Sequence, residues 1–444
     1  MSLLPVACST PTFSTQPNKA ALLSGPMLAD LRPDGVRLWA EARQAATYEI
    51  QVRNLDRNGP WLPAQGPLGK ASLDLRGSEG RGSCQLTGLA ADTAYAYRLV
   101  PKVGRALPDL HGQYFHTPAA DGQAYDFRVA FGSCAGEWGM DASQPVFTAI
   151  DTKHPDLFLW LGDNVYFIHP DREWENPELM EKRWRHSRAK ASLQPLLNHT
   201  AHYAIWDDHD YGPDNSDRSY ALRKVSKSLF NRYWANPASG QSENDGIYFS
   251  FTFGRVEFFM LDTRYERAPN ERPESPEKVI LSDVQWQWLE QGLKNSKADF
   301  KVVASGMQIL SDYHRFETWN LFPSQRARLL DFIREQRISG VFFLSGDRHI
   351  GEALREPNGG YDLVEFTSSP LAAGIGETLP DRQVPQRIAG TLAAVENFGL
   401  LDFRFPAPGS SDFAEGPALT FRLYDVYGKP LGRQVVLRLS ELQP

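Results

Sequence analysis

Between residues 24 and 118, short runs rich in β-branched and aromatic positions recur between polar stretches, over 36–39, 48–52 and 94–100. Tyr95 and Tyr97 alternate with Ala94 and Ala96, as a strand with one buried face requires. Asp34-Gly35, Asn58-Gly59-Pro60 and the glycines at 80 and 82 break these runs into turns. The spacing predicts a small all-β sandwich of immunoglobulin or fibronectin type over 24–118, after an N-terminal tail over 1–23. Residues 119–124 read as a linker. From 125 to 444 the pattern changes to fully apolar strands alternating with helices. Strands are expected over 127–131, 156–161, 201–206, 256–261 and 341–344. Leu222, Val225, Leu229 and Tyr233 make one helical stripe, and Trp286, Leu289 and Leu293 make another, opened by Ser282 and Gln285 as a capping box. Strand-like runs return over 418–424 and 434–439.

Five of these strands end in residues unsuited to burial. They run into Ser133-Cys134, Gly162-Asp163-Asn164, Asp207-Asp208-His209-Asp210, Asp262-Thr263-Arg264 and Gly346-Asp347-Arg348-His349. In layered α/β folds, ligands bind beyond the carboxyl ends of strands. Three carboxylates around one imidazole repel one another unless a cation or strong donors offset them. The set matches a two-metal hydrolytic centre, which needs a bridging carboxylate and ligands from several strand ends. Tyr166 follows Asp163 by three residues, where a tyrosinate reaches the same ion. Tyrosinate beside a Cys134 thiolate favours a trivalent, polarisable metal, which points to Fe(III) over Mg²⁺. Arg264 and Arg348 stand beside the motifs as phosphate clamps or internal salt-bridge partners. Asn164 is open to two roles, substrate contact or loop support. His154 and His202 read as structural or solvated, and the basic run 182–190 as a solvated helix face.

Composition narrows the class without changing this picture. Of 444 residues 41% are hydrophobic and 23% charged, the balance of a folded globular chain. Gly 35 and Pro 31 add loops. No apolar run approaches the roughly 20 residues of a membrane helix. The net charge of −7 argues against a phosphate-tracking nucleic-acid groove. Cys8, Cys84 and Cys134 form no paired framework. The first basic residue is Lys19, which favours a cytoplasmic address over an exported one; Val6-Ala7-Cys8 is only a faint lipid-attachment box.

In order and composition, the five motifs resemble the alkaline phosphatase D (PhoD-like) family of the calcineurin-like metallophosphoesterases. The resemblance implies an αββα catalytic sandwich and hydrolysis of small phosphate esters. It makes Asp163 the bridging ligand, with Cys134, Tyr166 and His349 completing an iron site. Asp163, Asp208 and Asp347 would form an oxygen-rich site for one or two Ca²⁺ or other divalent ions. It casts His209 as the general acid, oriented by Asp210, while a metal-held hydroxide attacks phosphorus in line. Ser133-Cys134 replaces the superfamily's first Asp-x-His motif, and residues 304–308 lack the His of its fourth. A phosphodiesterase is the alternative within this chemistry, and a binding protein on a degenerate scaffold the alternative outside it.

Overall fold

The computed structural model describes residues 22–444 except 77–79, 103–112, 138–142, 168–169, 244, 313–316, 377–383, 408 and 410–412. The tail over 1–23 therefore lies almost wholly outside the described residues, as does Cys8. Two sheets face each other at the centre. In the first, Phe127–Gly132, Leu157–Leu161 and Ala201–Ile205 run parallel and adjacent, with Asn397–Arg404, Ala418–Asp425 and Pro430–Arg438 antiparallel at one side. In the second, Val256–Met260, Phe300–Ala304, Val341–Ser345 and Asp362–Thr367 are parallel, between antiparallel edge strands Phe249–Phe253 and Glu352–Pro357. Leu157–Leu161, Ala201–Ile205 and Val341–Ser345 are buried at every position, which is why they read as largely apolar runs without period-two alternation.

Alternation along the second sheet sorts its side chains between two cores. Phe300, Val302, Phe342 and Leu344 face the first sheet, while Val303, Val341 and Phe343 face the helices Asp283–Asn295 and Pro323–Glu335. Aromatic pairs hold the sheets together: Phe127 on Phe253 at 4.8 Å, Phe300 on Phe403 at 5.7 Å and Phe366 on Phe421 at 4.3 Å between ring centres. Helices Val146–Asp151 and Leu193–His199 bury Phe147, Ile150, Leu196 and Leu197 in the core shared with the first sheet. Ser282 caps its helix by accepting from the Gln285 amide at 3.1 Å. The expected capping box is only half made, because the Gln285 side chain bonds the Asp262 backbone instead. No helix among the described residues is long and apolar enough to cross a membrane.

The N-terminal strands need a correction. Thr47–Asn54, Thr93–Pro101 and Tyr114–Thr117 form their own sheet. Leu22–Arg32, Gly35–Ala42 and Arg81–Thr87 instead extend the first catalytic sheet, through parallel pairing of Leu28 with Ala201. The sandwich expected over 24–118 thus shares a sheet with the domain it precedes. Period-two alternation marks a strand and its buried face; it carries no information on which distant edge that strand joins.

Candidate metal centre

Parallel strands bring their carboxyl ends to one side, and the motifs meet there. Four of the gathered side chains sit on left-handed backbone: Cys134 at φ 59°, Asp163 at 52°, Asp347 at 62° and His349 at 52°. Side chains other than glycine rarely adopt this conformation, and it persists where surrounding structure over-determines it, as at functional sites. Gly162 lets two loops touch, since a Cβ there would lie 2.6 Å from the Asp207 Cβ. Gly346 does the same against Ser133, whose Oγ accepts from the Asp347 amide at 3.0 Å.

Ligand atoms of Cys134, Asp163 and His349 lie within 4.8 Å of one another. The Tyr166 hydroxyl joins them, donating to Asp163 Oδ2 at 2.9 Å and standing 3.3 Å from His349 Nε2. Cys134 Sγ is 3.5 Å from the same Asp163 oxygen. The other His349 nitrogen, Nδ1, bonds the Gly374 carbonyl, which turns Nε2 toward the cluster. A second group, Asp163, Asp208 and His209, shares Asp163 with the first. Asp347 lines the same cavity but stands outside that trio. Burial, then the carboxylates of Asp208, Asp207, Asp210 and Asp347, push Asp163 well above the usual carboxylate range. Burial and Asp163 likewise push the Cys134 thiol and Tyr166 phenol upward. Asp208 moves the other way; burial opposes it, but His209 and Arg264 hold its carboxyl low. Sulfur, phenol, imidazole and a shared carboxylate converging on one point are donor types that a metal ion gathers, so the residues fit a metal site.

His209 is held by rings, tilted against Tyr166 at 4.4 Å and stacked on Trp174 at 6.0 Å between ring centres. The expectation that Asp210 orients this imidazole is corrected. Asp210 is fully buried, and its oxygens accept from the Asn164 amide N–H at 2.9 Å, the Asp207 amide N–H at 3.1 Å and Asn164 Nδ2 at 3.3 Å. It ties the Asp163 loop to the Asp207 loop. The carboxylate nearest the ring is Asp214, 3.8 Å from Nε2. Asn164 Nδ2 also donates to the Ile205 carbonyl at 2.8 Å, so its amide nitrogen supports the loop, while its Oδ1 is buried without a hydrogen-bond partner among the described residues.

Of the two arginines, Arg348 lines the cavity and Arg264 does not. Arg264 is 0% exposed and pairs with Asp207 and Glu317, with Asp208 4.0 Å away. Its reading as a phosphate clamp is corrected to the salt-bridge alternative. Glu317 also pairs with buried Arg267 at 2.6 Å. Arg264→Met would leave Asp207 without its guanidinium in the interior, while of its two arginines Glu317 would keep only Arg267. It is expected to cost about 3–5 kcal/mol of stability, read as a lowered melting temperature.

The cavity holds about 650 Å³ and is lined by Asp163, Asp208, His209, Asp347, Arg348 and His349 from the motifs. Asp214, Asn215, Asn270, Glu271 and Glu317 complete its polar wall. Sequence reasoning missed these five, which lie in loops without periodicity or motif spacing. The single signal was proximity, Asp214 and Asn215 following the Asp208 motif within seven residues. His202, buried, accepts from Trp160 Nε1 at 2.9 Å, and burial pushes its pKa down to about 3, as a structural histidine requires.

A family model described as PhoD-like phosphatase matches residues 129–405. The chain is similar to alkaline phosphatase D of Bacillus subtilis (strain 168), 24% identical over 400 residues, covering 77% of this chain and 66% of that protein. It is similar to tartrate-resistant acid phosphatase type 5 of Sus scrofa, 23% identical over 249 residues, covering 50% of this chain and 65% of that one. The chain thus spans slightly under two thirds of the length of these relatives. A solved structure of PhoD matches with a TM-score of 0.71 at 18% identity, covering 96% of this chain and 93% of that one. A purple acid phosphatase from yellow lupin (Lupinus luteus) seeds matches with a TM-score of 0.66 at 12% identity, covering 93% and 74%. Both establish a metallophosphoesterase-like α/β fold.

Proposed function

This chain belongs to the PhoD-like phosphatase family, and from that premise we propose that it hydrolyses phosphate esters at a two-metal centre. The observation that carries the reading is the shared carboxylate: Asp163 stands in both ligand groups, beside a thiol and a phenol on one side and Asp208 on the other. Cys134, Asp163, Tyr166 and His349 would hold a trivalent ion, Fe(III) by donor type. Asp163 and Asp208, with Asp347 on the same cavity, would hold a hard divalent ion such as Ca²⁺. When bound, such ions polarise phosphoryl oxygens and make water nucleophilic at neutral pH. The chain's own part is positional and protic. Arg348 offers a guanidinium to phosphoryl oxygens from the cavity wall. His209, sandwiched between Tyr166 and Trp174 and 23% exposed, carries a proton to the departing oxygen, with Asp214 alongside its Nε2. The strands before residue 118 we read as an all-β module of immunoglobulin or fibronectin type, fused edge-on to the catalytic sheet.

Phosphodiesters are the second reading, and one observation favours them. With Arg264 withdrawn into ion pairs, Arg348 is the one guanidinium among the described residues that line the cavity, whose wall also carries Asp214 and Glu271. A singly charged diester meets less repulsion there than a doubly charged monoester. The test is hydrolysis of 4-nitrophenyl phosphate beside bis(4-nitrophenyl) phosphate, each with added Ca²⁺ and with chelator. Turnover abolished by chelator is expected, and the diester-to-monoester ratio separates the two readings. Chelator-insensitive turnover, or none on either ester in metal-replete protein, would overturn the proposal.

A further inference from the structure

The run 182–190 is not the solvated face its charges suggest. In the helix Pro177–Arg188, Arg183 and Arg188 are buried with Met180 and Trp184. The Arg183 side chain is 6% exposed and spends its guanidinium in two directions. Its Nε donates to the main-chain carbonyl of Tyr166, and Nη2 forms an ion pair with Glu137 Oε2 at 3.1 Å, held by charge rather than by an aligned hydrogen bond. Tyr166 carries the phenol of the metal centre, and Glu137 stands three residues after Cys134, which carries the thiol.

The two loops are already joined at their inner ends. The Cys134 amide donates to the Gly162 carbonyl at 3.2 Å and the Ala135 amide to the Asp163 carbonyl at 2.9 Å. Gln144 Nε2 braces the Cys134 loop from outside, bonding the Ala135 carbonyl at 3.1 Å and the Gly136 carbonyl at 2.5 Å. Glu137 Oε1 is in turn gripped by His186 Nε2 at 3.1 Å and Lys190 Nζ at 3.2 Å. Those two residues follow Arg183 by three and seven positions, so one stripe of the helix and its C-terminal extension faces the loop. The outer ends of the loops therefore meet only through Arg183 and its carboxylate among these contacts.

We propose that Arg183 is a positioning residue for the sulfur–phenol metal site, clamping the Tyr166 loop onto the Cys134 loop and so setting where thiol and phenol stand around one ion. The proposal rests on the reading of Cys134 and Tyr166 as ligands of one metal. A planar guanidinium can hold a carbonyl by a directed N–H and a carboxylate by charge at the same time, whereas an ammonium is a point charge on a flexible stem. Partners outside the ligand shell that orient the ligands typically govern metal affinity by about 10–100-fold.

The test uses the full-length, iron-loaded protein as wild type, Arg183→Met, Arg183→Lys and Glu137→Gln. Two quantities are read: the phenolate-to-iron charge-transfer band, and iron retained on dialysis against a chelator. Melting temperature serves as the folding control. Arg183→Met is expected to shift the band and to weaken iron retention by about 10–100-fold. Glu137→Gln should move both in the same direction by less, and Arg183→Lys should fall between Arg183→Met and wild type. If Arg183→Met does not fold, Glu137→Gln decides. An unchanged band and unchanged retention in the folded variants overturn the clamp while leaving the ligand reading intact. Iron-loaded wild type without a phenolate band overturns the ligand reading, and the clamp with it.

Discussion

Asp163→Ala is expected to lower kcat/KM for phosphate-ester hydrolysis by about 10³-fold or more, since metal-ion stabilisation of the transition state is worth several kcal/mol and each 1.36 kcal/mol is tenfold. The size follows from position. Asp163 is 2% exposed and is the residue common to both ligand groups, so its loss weakens two sites at once. No neighbour replaces it: Asp208 is turned to the His209 and Asn215 amide N–H groups at 3.0 and 2.7 Å, and Asp210 to the loops. The loss is also geometric, because Asp163 Oδ1 accepts from the His209 amide at 3.1 Å and so fixes the residue that carries the acid. Metal content and steady-state kinetics, measured together, check the prediction. A folded Asp163→Ala protein that keeps two equivalents of metal and full turnover would contradict it.

His209→Ala is expected to reduce turnover by about 10²–10⁴-fold, the range of a positioned acid or base, and the loss should depend on the leaving group. Nitrophenolate departs readily without a proton, whereas an alkoxide needs one. The variant should therefore lose most on alkyl phosphate esters and least on nitrophenyl esters. That gradient separates a proton donor from a metal ligand, since His209 also falls within the second ligand group. Removing a ligand would depress all substrates alike and lower metal content. A uniform loss with depleted metal would reassign His209 to the ion, and full activity would remove it from the chemistry.

The strands Phe127–Gly132, Leu157–Leu161 and Val341–Ser345 were expected within one or two residues, because near-complete burial on both faces leaves a mostly apolar run, broken in the first only by half-buried Arg128. The polar groups that follow each run could not belong to a core, which is why Cys134, Asp163, Asp208 and His349 stood out as candidates. Helix Asp283–Asn295 was announced by its cap at Ser282.

What local pattern could not specify was every choice made across distance. Arg264 stands beside a motif and has the chemistry to bind phosphate; only packing that brings Asp207 and Glu317 against it turned it inward. Asp210 was adjacent to His209 in sequence, yet helical geometry at Asp208–Tyr211 points neighbouring side chains apart, and Asp214 comes nearest the ring instead. Arg183 and Arg188 look solvated because a charge run carries no record of the carbonyl, carboxylate or indole that will compensate it in the interior. The edge pairing of Leu28 with Ala201 joins residues too far apart for any periodicity to relate. Local physics, meaning burial period, turn chemistry and capping, is written in neighbouring residues and so determined the elements and the candidate ligands. Partner choice is settled by which distant groups satisfy one another's charge and hydrogen bonds, and that is decided only when the chain is folded.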